Sequence, residues 1–405
     1  MGAPPMIDTD VCVVGAGILG IAHAFEARER GLRVVVLDRA QRALGASVRN
    51  FGHGCVAAMA DGAAFECALD SRRRWLELGA RAGLEVVLAG SVVVARQEDE
   101  LEVLEAVAQD ERRGARVIDA REVESLAPIP TDALCGALHA TLDFRVDPRQ
   151  AVTRLTSLLE RDREALVLWD APVHDIGPGR VESNRAVVRA PLVIVCPGPD
   201  YATLPPQVRP ERDGLGLCKL QMLRVASPEA RRYGPALLTG LSLLRYPAFT
   251  SVPVAARVRA RLESERPELV AAGVHLIVTQ LPDGDLIIGD SHEYGANASP
   301  FGVEAIDRLI LAEARALLGA RELEVRQRWH GVYPSAPGDP FLVTAPLPGV
   351  RVVEVVSGVG MTTALGLAIR VVSELLGDLS EQRGAEAGQP ASLPRRAGAR
   401  AGYGS

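Results

Sequence analysis

Gly15-Ala16-Gly17-Ile18-Leu19-Gly20 lies between the apolar run "DVCVV" (10–14) and a stretch of helical periodicity, "IAHAFEARERG". A second apolar run, "RVVVLD", ends on Asp38, 18 residues after Gly20. Glycines at this spacing allow a tight turn, close approach of the backbone to a pyrophosphate, and close helix–strand packing. The helix behind them offers free amides and the positive end of its dipole. Asp38 stands where an acid reaches ribose hydroxyls. The implied chemistry is capture of a dinucleotide; a glycine-rich turn in an unrelated βαβ unit is the plainer alternative. Shortly after, "ASVRNFGHG" (46–54) sets Arg49, Asn50 and His53 between small residues. Far downstream, "VVSGVGMTTALGLAIRVV" (355–372) is a second glycine-rich strand–turn–helix. One such element does not choose between NAD and FAD. Two, at opposite ends of the chain, suit a long, two-ended cofactor such as FAD.

The elements that must position these residues alternate in type. Residues 66–83 carry an apolar stripe and predict a helix; "SVVVAR" (91–96) predicts a strand; 98–114 predicts an amphipathic helix ended by Gly114. Residues 146–164 predict a helix with Asp147 as N-cap and Pro148 at its first position. From about 216 the pattern shifts to strands, at 218–225, 242–246, 274–280 and 285–289, with "QLPDGDLIIG" as a hairpin. A helix is predicted over 364–377, and the Gly/Ala/Pro/Arg-rich residues 379–405 predict a disordered tail.

Composition narrows the class. The chain has 405 residues, 48% hydrophobic and 24% charged, which suits two globular domains. A net charge of −6 argues against nucleic-acid binding as the main activity. No apolar run reaches the roughly 18 residues of a membrane span, and no secretion signal is evident, so the expected location is cytoplasmic. Six scattered cysteines and seven scattered histidines form no metal-ligand spacing, so no metal is expected.

The glycine motifs together with "GASVRNFG" resemble the D-amino-acid oxidase/glycine oxidase/sarcosine oxidase superfamily of FAD enzymes, over roughly residues 8–378. Within it, "SVRNFGHG", "LCKLQMLR" (217–224), "LLRYPAF" (243–249), "LIIGDSHEYG" (286–295) and "RWHGVYP" (328–334) resemble the phosphonate-associated subgroup. The resemblance implies an α/β fold: a Rossmann-type FAD domain (1–85, 146–215, 328–378) interleaved with an α+β substrate domain (86–145, 216–327) that holds a mixed, mostly antiparallel sheet. It implies that Gly15, Gly17, Ile18 and Gly20 hold the pyrophosphate, and that Asp38 and Arg39 meet the adenosine. Ser47, Arg49 and Asn50 would pass beneath the pyrophosphate and flavin. Val173 would contact the adenine, and Cys196, Pro197 and Gly198 would form a small-residue turn. Gly358, Gly360, Met361, Thr362 and Thr363 would approach the flavin ring. The implied reaction is oxidative deamination of a small amine related to 2-aminoethylphosphonate. Hydride leaves the C–H beside the amine, the imine hydrolyses to an aldehyde plus ammonia or methylamine, and dioxygen is reduced to peroxide. Glycine, sarcosine or a D-amino acid as substrate remains open, as does a tailoring role in natural-product synthesis; a homo-oligomer is compatible with either.

Departures from the resemblance bear on the substrate. Tyr333 stands where glycine-oxidase-like proteins carry an arginine that grips a carboxylate, and Thr362 where sarcosine oxidases carry a lysine. Arg49 fills the place of a histidine that tethers flavin in one branch, so non-covalent FAD is expected. His53 and His292 are candidate bases beside the amine, with Thr362 near the reacting atoms. Arg245 and Tyr246 are candidate anion contacts, Gln221 and Lys219 face either ligand or neighbours, and Trp329 and Tyr333 are candidate pocket walls.

Overall fold

The computed structural model describes residues 4–387, with side chains through residue 378. A six-stranded sheet runs, edge to edge, Phe341–Thr344, Val350–Val355, Leu192–Val195, Val11–Val14, Val34–Leu37 and Ala165–Leu168. All neighbours are parallel except the first pair. Its inner strands are continuous valine-rich runs, the composition of parallel strands covered on both faces. The period-two alternation of a strand divides them between two cores. Val11, Val13, Val34 and Val36 face the main core, whereas Cys12, Val14, Val35 and Leu37 face a second one. Helices Ile18–Glu29, Ala63–Ala82 and Gly360–Ala387 pack together over the first face. A four-stranded sheet, which includes Val173–Gly177 and Val187–Arg189, covers the second.

A separate nine-stranded sheet is built around Gly216–Val225, which pairs with Leu286–Gly289, Glu293–Gly295 and Val325–Ser335. The hairpin expected from "QLPDGDLIIG" forms between Ile277–Gln280 and Leu286–Gly289. Residues 328–335, grouped by the sequence with the nucleotide domain, belong by hydrogen bonding to this large sheet. They lie at its seam with the nucleotide-binding loop: a Cβ on Gly331 would sit 3.0 Å from the Arg49 carbonyl.

Other sequence expectations need correction. Residues 242–246 are not a strand: Gly240–Leu244 is a 3-10 turn and Pro247–Thr250 a short helix, while the strand ends at Leu238. A short apolar run does not distinguish the two states, and Pro247 favours a helix start. The helix from 98 stops at Ala108, followed by a separate turn, Glu111–Arg113, that Gly114 ends in the left-handed conformation. Helix Pro148–Leu159 has the expected Asp147 cap, whose carboxylate accepts from Arg149 N. The last helix begins at Gly360 and continues to Ala387, so 379–387, expected as disordered tail, are helical. The rest of that expected tail lies outside the described residues. Part of this helix, Gly360–Asp378, is long and apolar enough by length and composition to cross a membrane, although Arg370 and Glu374 interrupt its apolar run. It is 61% buried against the protein's own core, which accounts for its composition.

Candidate functional site

The glycine turn is set by contacts that admit no side chain. Gly15 has φ +100°, and a Cβ there would lie 2.3 Å from the Cys196 carbonyl oxygen. A Cβ on Gly20 would lie 1.8 Å from the Gly15 carbonyl oxygen, so Gly20 serves helix–strand packing. Helix Ile18–Glu29 has no side-chain cap of its own. Ser47, from the following loop, accepts from Ile18 N at 2.9 Å. The Asp38 carboxylate accepts from Ala16 N at 2.7 Å and Ala40 N at 2.8 Å, fixing the loop while keeping spare lone pairs.

Two cavities meet at this turn. The outer, about 1720 Å³, is lined by Gly15, Gly17, Asp38, Arg39, Val173, Cys196 and Pro197. The inner, about 970 Å³, is lined by Ile18, Asn50, Gly358, Gly360, Met361 and the large-sheet residues below. Ala46, Ser47, Arg49, Gly198 and Val332 line both, so the two form one elongated cleft. Cβ atoms on Gly198 or Gly360 would meet nothing within 4 Å. A cleft of this length with glycine-walled gaps and a helix N-terminus at its wall fits an extended dinucleotide.

Several cofactor candidates act through the loops rather than by facing the cleft with free groups. Asn50 donates to Ala46 O and accepts from Gly52 N, which shapes its own loop. Arg39 pairs with Asp200. Arg49 reaches the His330 carbonyl at 3.4 Å. The Thr362 hydroxyl accepts from Cys55 N at 3.1 Å and the Thr363 hydroxyl donates to Val359 O at 2.9 Å; neither threonine lines the cleft.

At the inner end the 3-10 turn Gly240–Leu244 projects Arg245 under the large sheet. Its Nη2 donates to Ser357 O at 2.7 Å and to the Tyr333 hydroxyl at 3.2 Å. Its Nε faces His292 Nε2 at 3.4 Å. Nη1 has no acceptor among the described residues. Tyr333 fits closely against the second glycine turn: Gly358 has φ +77°, and a Cβ there would lie 2.9 Å from the tyrosine ring.

His292 lines the cleft, but both ring nitrogens are engaged: Nδ1 lies 3.0 Å from the Gly273 carbonyl, which makes it the protonated nitrogen, and Nε2 accepts from Arg245. Burial, reinforced by Arg245 and His275, lowers its pKa to about 4. It is a neutral brace for Arg245 rather than a ready base. Beyond it sit His275 and Asp290, which the sequence reading did not single out. His275 stacks on His292 with ring centroids 4.9 Å apart. Its Nε2 lies 3.0 Å from Asp290 Oδ1, off the line of a hydrogen bond. Burial alone would raise the Asp290 pKa; the neighbouring histidines and Arg245 outweigh it and hold the carboxyl below its usual range. Register counted outward from the hairpin reaches Leu276 opposite Asp290, one residue from His275, so pairing could have revealed them.

Other candidates lie elsewhere. Gln221 holds Asp307 and both polar groups of Val303, fastening the start of helix Glu304–Leu318. Lys219 is spent on Glu293 and the Phe301 carbonyl. Trp329 donates to the Arg49 carbonyl and stacks under Arg149. His53 is buried 3.3 Å from Asp143, beside the Thr362-bonded Cys55 segment. None of these four lines the inner cavity, whereas Tyr246 and Tyr333 do.

Among the described residues, two groups place three ligand atoms within 4.8 Å of one another: His53/Cys55/Asp143 and His275/Asp290/His292. Asp143 already accepts from Ser91 and Ala57, and the second group faces a guanidinium, so neither is free for a cation.

Comparisons with known proteins agree with this geometry. No curated protein matches the sequence. The fold is similar to that of L-proline dehydrogenase from P. horikoshii, with a TM-score of 0.75 at 16% identity over 94% of this chain and 99% of that one. It is also similar to glycine oxidase from Geobacillus kaustophilus, with a TM-score of 0.71 at 20% identity over 97% and 100%. L-alpha-glycerophosphate oxidase from Mycoplasma pneumoniae, solved with FAD bound, gives a TM-score of 0.70 at 17% identity over 91% and 95%. The family model for DAO, FAD dependent oxidoreductase, matches residues 10–374, spanning the glycine turn, the Arg245 pocket and the second glycine turn alike. The chain therefore belongs to the DAO family of FAD-dependent oxidoreductases.

Proposed function

We propose that this enzyme oxidatively deaminates a small amine bearing a phosphonate or similar anion, related to 2-aminoethylphosphonate. The observation that carries the reading is Arg245. It is a half-buried cation at the inner end of the cleft, its protein contacts are neutral acceptors, and Nη1 is left for a ligand. A guanidinium so placed can donate the two N–H bonds of Nη1, charge-assisted, to a tetrahedral or planar oxyanion. It also stands beside Tyr333, the position at which glycine-oxidase-like relatives carry their own arginine. The cation is thus supplied from a different segment, which shifts where the anion sits and favours a substrate longer than glycine.

Bound FAD would supply the two-electron acceptor. The chain's own part is placement. Arg245 holds the anion, Tyr333 and His292 hold Arg245, and the Gly358–Met361 turn leaves room for the cofactor above. The C–H beside the neutral amine gives up hydride, and the imine takes up water to release aldehyde and ammonia, or methylamine from an N-methyl substrate. Dioxygen receives the two electrons and leaves as hydrogen peroxide. His292 is engaged at both ring nitrogens and does not take the amine proton, and the substrate enters this step already neutral. With positioning as the main contribution, rate depends on how well the anion fixes the distance to the reacting carbon.

A second reading, glycine, sarcosine or a D-amino acid as substrate, uses the same Arg245 for a carboxylate. The test is peroxide formation over a matched panel. The proposal expects 2-aminoethylphosphonate or its N-methyl derivative to exceed glycine, sarcosine and D-alanine in kcat/KM. Preference for any of the carboxylates would replace it with the second reading.

A further inference from the structure

Glu354 lies on the strand Val350–Val355, beside the edge strand of the six-stranded sheet and flanked by Val353 and Val355. It is 2% exposed and lines the inner cavity beside Gly198. Its Oε1 has no hydrogen-bond partner. No acceptor faces the carboxyl among the described residues; the one backbone group that leans toward it is the Gly198 N–H, a donor. A buried polar group left without partners is costly and in native proteins ordinarily marks a missing ligand or water. Here the gap beside it is the cleft itself, where Gly198 has φ +59° and no atom lies within 4 Å of its Cβ direction.

We propose that the Glu354 carboxyl is a cofactor contact that donates an O–H hydrogen bond to an acceptor of bound FAD. A phosphate or hydroxyl oxygen of an extended dinucleotide meets such a donor without the repulsion a carboxylate would impose. The surroundings keep the proton on. Burial, with Asp200 nearby, pushes the carboxyl well above its usual range, and the Gly198 N–H offsets only part of this. Among the described residues the other titratable groups facing it are the Cys196 thiol and Tyr201, and no cation contacts it; Arg39 is paired with Asp200. FAD affinity therefore depends on pH through Glu354. The inference requires only the FAD assignment and is independent of which amine is oxidised.

The experiment is FAD titration of reversibly stripped protein from pH 6 to 10, followed by flavin fluorescence, with refolding checked by circular dichroism. For wild type the dissociation constant is expected to be flat at low pH and to rise by about tenfold per pH unit once the carboxyl ionises. Glu354→Gln, which keeps a donor that does not ionise, is expected within threefold of the low-pH wild type at every pH. Glu354→Ala is expected to bind about tenfold more weakly at pH 7, the loss of one hydrogen bond. The proposal is overturned by a wild-type curve parallel to that of Glu354→Gln, whether both rise or both stay flat, or by Glu354→Ala binding within threefold of wild type.

Discussion

Replacing Arg245 by methionine keeps an unbranched side chain of similar reach and removes the charge. In the protein, Arg245 gives one nitrogen to Ser357 O and Tyr333, its Nε to His292, and keeps Nη1 for the ligand. Loss of a charge-assisted contact to a buried anion costs about 3 kcal/mol, the upper part of the range for hydrogen bonds to charged groups. At about 1.4 kcal/mol per decade this is a fall of about 100-fold in kcat/KM. The loss should be specific to anionic amines. Against propylamine, which has no anion to hold, Arg245→Met should change kcat/KM by less than about threefold, within the range of a surface change. Arg245→Lys should fall between, because an ammonium restores charge but not the guanidinium's planar donors. The assay is peroxide release with both substrates, on protein whose visible absorbance shows one flavin per chain. Equal losses on both substrates would mean that Arg245 only supports the pocket's shape. No loss on the anionic substrate would remove it from the site.

Four further outcomes follow from the same geometry. Gly20→Ala drives a methyl into the Gly15 carbonyl at 1.8 Å, so flavin content should fall below a tenth of wild type and the fold should lose about 3 kcal/mol, read from flavin absorbance and urea unfolding. Burial depresses the pKa of His23 to about 4 and, with help from Arg245 and His275, that of His292 to about 4, both below the ordinary 6.5. Each therefore gives stability that is full above pH 6.5 and lost as pH falls toward 4, up to about 3 kcal/mol apiece; His292→Gln should halve the fall in melting temperature between pH 7 and 4.5, and an unchanged fall would show that its burial is not what depresses it. Because both nitrogens of His292 are engaged, kcat/KM should climb with pH toward the substrate amine's own pKa, and His292→Gln should lower the rate without moving that inflection. Flavin should appear entirely in the supernatant after acid precipitation, as Arg49 offers no tether; flavin retained on the pellet would contradict this.

Much of the cofactor end was legible in the sequence. Glycine spacing is a local constraint, and the contact at Gly20 is made with Gly15 inside the motif, although Gly15 itself fits against the distant Cys196 carbonyl. The substrate end is assembled from distant segments. Arg245 and His292 stood out as polar residues at element ends, but Arg245 was assigned to a strand that is a 3-10 turn. His275 carries no motif and Asp290 lies unremarked inside "LIIGDSHEYG"; only the hairpin register brings them together. Gln221 and Lys219 resembled ligand contacts because a polar residue in an apolar strand demands a partner, and the partners proved to be Asp307, Val303, Glu293 and Phe301. Glu354 posed the same demand and finds no acceptor among the described residues.

The central claim, that an anionic amine delivers electrons to FAD held in this cleft, is tested most directly without oxygen. Purified yellow protein is mixed anaerobically with 2-aminoethylphosphonate or its N-methyl derivative, and the visible flavin absorbance is followed. The account predicts that one of the two bleaches the flavin completely and faster than glycine, sarcosine or D-alanine at equal concentration, with colour and peroxide returning when air is admitted. Flavin that stays oxidised with both phosphonates while a carboxylate amine bleaches it would contradict the account.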